Sequence, residues 1–283
     1  MIDVIKDTLF DSIKLLPFLF LAYLLMEYLE HKTGNKTKDI VKKSGKLGPL
    51  WGGIIGIFPQ CGFSAAAANL YAGKIITMGT LIAVFLSTSD EMLPILISEA
   101  APASLILKVL AIKLVVGIIA GFIIDLVINV IGKTKKVEPE EAVGHMCEHD
   151  HCDCEHGILK SALKHTINIF IFITIITFAI NTLIHFIGEE TIEKAIAGVP
   201  VLGILVSSIF GLIPNCAGSV IITELYLSNL ISFGSMIAGL LVGSGIGILV
   251  LFKSNKNIKE NLTITGLLML VGIIVGLIID FVI

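Results

Sequence analysis

IFPQCGFS, residues 57–64, returns as LIPNCAGS at 212–219. Each stretch interrupts an apolar run with a proline, which removes a backbone donor and cannot continue a helix. The same spacing of 155 residues relates GIIAGFIIDLVI (117–128) to GIIVGLIIDFVI (272–283), Leu70-Tyr71 to Leu225-Tyr226, and Gly79 to Gly234. The opening helices, IKDTLFDSI (5–13) and LKSALKHTI (159–167), align at 154, so one indel in the first loop accounts for the difference. Matches of Ile, Leu and Gly arise between any two apolar helices. A shared Pro-x-Cys and a shared aspartate inside an apolar run do not, so the second half of the chain reads as a copy of the first.

The composition names the solvent. Of 283 residues, 55% are hydrophobic and 15% charged, and the mean hydropathy is +0.95. A soluble domain carries about 25% charged residues, so an ordinary cytoplasmic enzyme is excluded and lipid surrounds most of this chain. Every one of the 20 basic residues is lysine. Without a guanidinium there is no bidentate clamp for phosphate or carboxylate, which argues against an organophosphate carrier and against nucleic acid as a partner. The N-terminal MIDVIKDTLFDSIK is acidic and amphipathic, unlike a cleavable signal peptide. No GxxxxGK[ST], HExxH or GxSxG occurs, so neither ATP hydrolysis nor another enzyme activity is expected.

Apolar runs cover 15–29, 47–73, 75–98, 103–131, 166–187, 195–227, 230–252 and 262–283. Each suffices for a helix in lipid, where about 20 residues cross the bilayer and backbone groups must bond internally. Lysine counts set the orientation. HKTGNKTKDIVKKSGK (31–46), GKTKK (132–136) and KSNKNIKEN (253–261) read as cytoplasmic, whereas the acidic GEETIEKAIAG (188–198), the counterpart of the first of these, reads as external. Crossings and charges agree only if one run per half enters and returns, and the proline-broken 47–73 and 201–227 are the candidates. The expected fold is an all-α polytopic membrane protein: an inverted repeat of two five-segment halves, each with one proline-broken re-entrant hairpin. Residues 1–132 form the first transmembrane repeat, 133–158 a cytoplasmic loop and 159–283 the second repeat, with both termini outside. Inverted repeats with broken helices at their interface are the architecture of secondary transporters.

The hairpin tips are the first candidate site. Gln60 and Asn215, Cys61 and Cys216, and Ser64 and Ser219 are repeat-equivalent, so a pseudo-twofold axis would bring two amides, two thiols and two hydroxyls together. Thiolates suit soft cations and trivalent arsenic; amide and carbonyl oxygens suit harder cations such as Mn²⁺. Asn69 and Glu224 are another equivalent pair, on the second arms of the hairpins. The run Ser87-Thr88-Ser89-Asp90-Glu91 places two carboxylates in an apolar span, where each costs about 2.5–3.5 kcal/mol at a helix centre. Their counterparts are Gly245 and Ile246, so this feature breaks the symmetry; Ser87, Ser89, Asp90 and Glu91 are a candidate proton or cation relay. Asp125 and Asp280 lie near span ends and read as caps or interfacial groups. Lys108 and Lys113 read as snorkelling towards a membrane face.

The polar loop holds His145, Cys147, His149, His151, Cys152, Cys154 and His156 among four acids in twelve residues. Such tracts bind transition metals, but the spacing does not make a tetrahedral CxxC pair. A flexible capture or sensing segment is expected, with a transition-metal ion as its ligand and no other cofactor required.

GxxPQCGFSAAAANLYAG, LSTSDEMLPIL, the His/Cys loop and GLIPNCA together resemble the ten-transmembrane heavy-metal exporter family of bacteria, whose members carry names such as manganese transporter or arsenic efflux protein. The resemblance covers essentially the whole chain and implies export of a metal or metalloid ion across the cytoplasmic membrane. Arsenite is neutral near pH 7 and needs no carboxylates in its path, so Asp90-Glu91 favours a divalent cation, with protons exchanged through Asp90, Glu91 or Glu224. An arsenite permease using Cys61 and Cys216 is the alternative within transport. A metal-gated channel or sensor is the alternative of another class.

Overall fold

The computed structural model describes residues 47–58, 61–89, 92–131, 158–187, 200–214 and 216–282, together with isolated helical positions between 13 and 24. All its elements are α-helices: α1 (Gly48–Gly56), α2 (Cys61–Ala72), α3 (Met78–Ser87), α4 (Met92–Ser98), α5 (Ala103–Ile131), α6 (Ile158–Ile187), α7 (Pro200–Gly211), α8 (Cys216–Leu227), α9 (Phe233–Val242), α10 (Gly247–Ser254) and α11 (Ile258–Val282). The starts of α2, α3, α4 and α5 recur 155 residues later as those of α8, α9, α10 and α11. The all-helical, apolar, polytopic architecture expected from composition is present.

The proline-broken runs are split as the sequence requires, α1 from α2 and α7 from α8. At nine and twelve residues, α1 and α2 are about 14 and 18 Å long, each too short for a bilayer core of about 30 Å. Two further breaks were not anticipated. The runs 75–98 and 230–252, read as uninterrupted, divide after Ser87 and after Val242. Local chemistry permits both: a Ser/Thr run in one half and Gly243-Ser244-Gly245 in the other offer the backbone alternatives to the helical ladder.

Burial sorts the helices. Among the described residues, four stretches are long and apolar enough to cross a membrane. The broken ones, 78–98 and 233–254, are 75% and 83% buried over their apolar windows, whereas the continuous 103–130 and 258–282 are 22% and 28% buried. Broken backbone thus lies inside the protein and continuous helices face outward, as lipid demands. Leu81, Ile82, Phe85 and Leu86 of α3 share one core with Met236, Ile237, Leu240 and Leu241 of α9. Within the first half α1, α3 and α5 pack on one another; within the second α7, α9 and α11 do the same. The halves also interlock, α2 on α10 and α8 on α4.

One device occurs twice. Thr77 caps α3, its hydroxyl accepting from the Thr80 N–H, and Ser232 caps α9 through Ser235. A carboxylate from the neighbouring long helix closes each cap. Asp125 accepts from the Thr77 hydroxyl at 2.7 Å and the Gly79 N–H at 2.8 Å; Asp280 accepts from Ser232 at 2.5 Å and Gly234 at 2.7 Å. The capping role expected for these aspartates is therefore the one they play. A Cβ on Gly79 would fall 2.2 Å from the Gly121 carbonyl, and one on Gly234 2.3 Å from that of Gly276, so glycine is required for this approach.

Replacing Asp280 by Ala strands two donors and should cost about 1–3 kcal/mol, with a matching loss for Asp125→Ala. Asn should be milder at either position, because its carbonyl still accepts. Thermal unfolding in detergent checks this: melting temperatures unchanged by Ala would separate the carboxylates from the fold.

Candidate functional site

In the first half the two breaks lie side by side. The carbonyl of Ile57, released where α1 ends, accepts a short hydrogen bond from the Ser89 hydroxyl. A Cβ on Gly56 would fall 2.1 Å from Ser87 Oγ. Ser87, Thr88 and Ser89 are all buried, and the hydroxyls of Ser87 and Thr88 bond back to Ala83 and Val84 carbonyls at 2.7 Å. Of the relay proposed from sequence, Ser87 thus sits against Gly56 and bonds back within α3, and Ser89 holds the carbonyl that α1 releases; Asp90 and Glu91 lie outside the described residues.

The second half uses the same frame with different chemistry. Gly211 abuts the Gly239 carbonyl as Gly56 abuts that of Val84. Ser244, the counterpart of Ser89, is fully buried, yet its hydroxyl has no hydrogen-bond partner among the described residues; the same holds for Ser207. The first half enters this break. A Cβ on Gly247 would stand 3.0 Å from Ser64 Oγ and 2.8 Å from the Phe85 ring. The ammonium of Lys113 donates to the main-chain carbonyl of Leu240, across the two halves. Lys113 is 1% exposed, which corrects the snorkelling expectation: the side chain turns into the bundle, where a helix end supplies its acceptor. Lys108 is exposed, its ammonium 4.5 Å from the centre of the Phe233 ring.

The family described as "Putative, 10TM heavy-metal exporter" matches residues 1–187 and, in an overlapping second stretch, 158–283. The chain belongs to this heavy-metal exporter family. No curated protein and no solved structure matches it.

In this exporter the remaining sequence candidates occupy different settings. Cys61 and Cys216 open α2 and α8; Gln60 and Asn215 lie outside the described residues, as does the whole of 145–156. Ser64 is buried at the junction of the halves, Ser219 is half-buried and Glu224 is exposed on α8. Asn69 is buried and accepts from the Ser254 hydroxyl at 2.7 Å, tying α2 to the end of α10.

That tie belongs to a clasp the sequence reading missed. Glu260 accepts from the Tyr71 hydroxyl at 2.6 Å, from Asn255 Nδ2 at 3.1 Å and from the Lys74 ammonium at 3.3 Å. Asn255 also donates to Asn261 at 2.7 Å. Lys74 adopts a left-handed backbone (φ 56°) as it ends α2, an unfavourable geometry of about 1–2 kcal/mol for a non-glycine residue. The repeat counterparts of Glu260, Asn255 and Asn261 are Leu105, Ala100 and Ile106, so the clasp exists at one end of the repeat only. Comparing the two copies for polar residues present in just one would have exposed both it and Lys113.

Tyr71→Phe and Glu260→Ala should each destabilise the exporter by about 1–3 kcal/mol. The double variant should fall short of their sum by about 0.5–3 kcal/mol, the mark of a shared network. Strict additivity in denaturant unfolding would show two independent contacts instead.

Proposed function

We propose that this chain is a secondary-active exporter of a divalent metal ion such as Mn²⁺, working by alternating access between two inverted repeats in the bacterial cytoplasmic membrane. The observation that carries the reading is the recurrence, at 155 residues, of paired broken helices buried beneath continuous outer ones. Broken helices at a repeat interface are where transporters hold ions, because freed carbonyls and side-chain oxygens face a cavity rather than lipid. Each half would carry one re-entrant hairpin, α1–α2 and α7–α8, with cargo held between the tips by Gln60, Cys61, Asn215 and Cys216. Asp90 and Glu91, directly after the buried Ser89, are the carboxylates for proton counter-transport. The Tyr71–Lys74–Glu260 clasp favours the state in which its own end is closed, since at the opposite end Tyr226 faces no counterpart of Glu260 or Lys74 (Leu105 and Asn229 stand there). The His/Cys loop would capture or sense metal on the cytoplasmic side.

Arsenite export is the second reading. Its support is the equivalent placement of Cys61 and Cys216 at the starts of α2 and α8. One assay separates the two. Cells expressing the protein are loaded with Mn, Zn, Co, Ni, Cu and As, and their contents are measured together by mass spectrometry. For Mn²⁺, Cys61→Ala and Cys216→Ala should each slow export, with Ser replacements milder. For arsenite, Ser should be as damaging as Ala, because thiolates are its ligands. Normal export by both Ala variants would remove the tips from the site.

Orientation has its own measurement. A cysteine introduced at Asn35 should react with an impermeant maleimide only from the cytoplasm, and one at Glu190 only from outside. Labelling of both from one side would end the inverted arrangement.

A further inference from the structure

The second break contains a site that already has an occupant. α9 ends at Val242, and the Gly243 N–H turns back to Gly239, so no described backbone N–H takes up the Leu240 carbonyl. In the first half the corresponding carbonyl, of Phe85, is met by the Thr88 N–H. Leu240 is met instead by the Lys113 ammonium. The C-terminal end of a helix carries negative partial charge and stabilises a cation there. Ser244 adds a second oxygen to the same break, fully buried and without a hydrogen-bond partner among the described residues. Gly245 holds the turn in a left-handed conformation (φ 53°), and Ser64 closes in against Gly247.

Lys113 is not demanded by packing. Its repeat counterpart is Leu268, equally buried, so the position is a core position in both halves and only one of them carries an amine. A buried ammonium is costly unless hydrogen-bonded acceptors compensate it. This one spans from α5 of the first half to α9 of the second.

We propose that the break at 243–246 is an oxygen-lined site for a monovalent cation, and that Lys113 is its tethered occupant, standing where other broken-helix carriers bind a free ion. The Leu240 carbonyl is the ligand the lysine holds, and the Ser244 hydroxyl in the same break is the oxygen that a replacement cation would draw in. The lysine fastens the two halves through this site, and the wild-type protein needs no free monovalent cation there.

The test removes the tether and offers a replacement. Lys113→Ala opens the site, Lys113→Ser is a second small variant, and Lys113→Met fills the space without charge. The purified proteins are melted in choline chloride, NaCl and methylammonium chloride. Na⁺ or methylammonium should raise the melting temperature of Lys113→Ala by several degrees over choline, as a ligand that binds only the folded state does. Wild type and Lys113→Met should not respond. In proteoliposomes, metal efflux by Lys113→Ala should fall about tenfold in choline, as for loss of one charge-assisted hydrogen bond, and recover with Na⁺ or methylammonium.

Identical melting of Lys113→Ala and Lys113→Ser in all three salts would overturn the proposal. So would failure to recover either variant folded in any salt, or a Lys113→Met protein that melts higher in Na⁺ than in choline. Only the efflux arm rests on the exporter reading. Wild-type protein that moved no metal would count against that reading, while the melting arm would still decide the cation site.

Discussion

A backbone polar group released inside a bilayer has no water to turn to, so every break in a membrane helix must be repaired by protein. Among the described residues four breaks stand out, and two of them, with two helix starts, show their repair. Ser89 takes the Ile57 carbonyl, Lys113 takes the Leu240 carbonyl, and Thr77 with Asp125 and Ser232 with Asp280 close the starts of α3 and α9. The arrangement of layers follows. The broken runs 78–98 and 233–254 lie at the centre, where their ends find partners, and the long continuous α5 and α11 form the outer face because they need none.

Duplication built this frame, and on the proposed carrier reading departures from duplication would give it direction. A carrier with two identical halves would hold its inward- and outward-facing states at equal energy, since a population shifts only with a difference in interactions between states. Three of the inequalities of this chain concern charged side chains. Carboxylates follow Ser89 in one half where Gly245 and Ile246 follow Ser244 in the other; Lys113 stands opposite Leu268; and Glu260 stands opposite Leu105. Two of these inequalities cross the boundary between the halves, Lys113 to Leu240 and Tyr71 to Glu260. They are contacts that the proposed alternating-access motion of the halves would break and remake.

Much of this was written in one dimension. Lipid as solvent follows from composition, helices follow from the need to satisfy backbone in lipid, and duplication follows from Pro-x-Cys recurring at a fixed offset. The splits at Pro59 and Pro214 were legible because proline forbids a helix whatever its neighbours. The carboxylate caps were legible because Asp125 and Asp280 recur near the ends of matching spans. The breaks after Ser87 and Val242 were not, since serine, threonine and glycine permit a break without compelling one, and packing makes the choice.

Lys113 and Leu268 mark where reading along the chain stops. Nothing near Lys113 in sequence says that its ammonium turns inward; a lysine in an apolar run ordinarily reaches for the nearest membrane face. Only the fold brings the end of α9, 127 residues further on, to where the Leu240 carbonyl can receive it. Periodicity, composition and proline act locally and survive in the linear text. The partner of a buried charge is a long-range contact, and only tertiary structure can supply it.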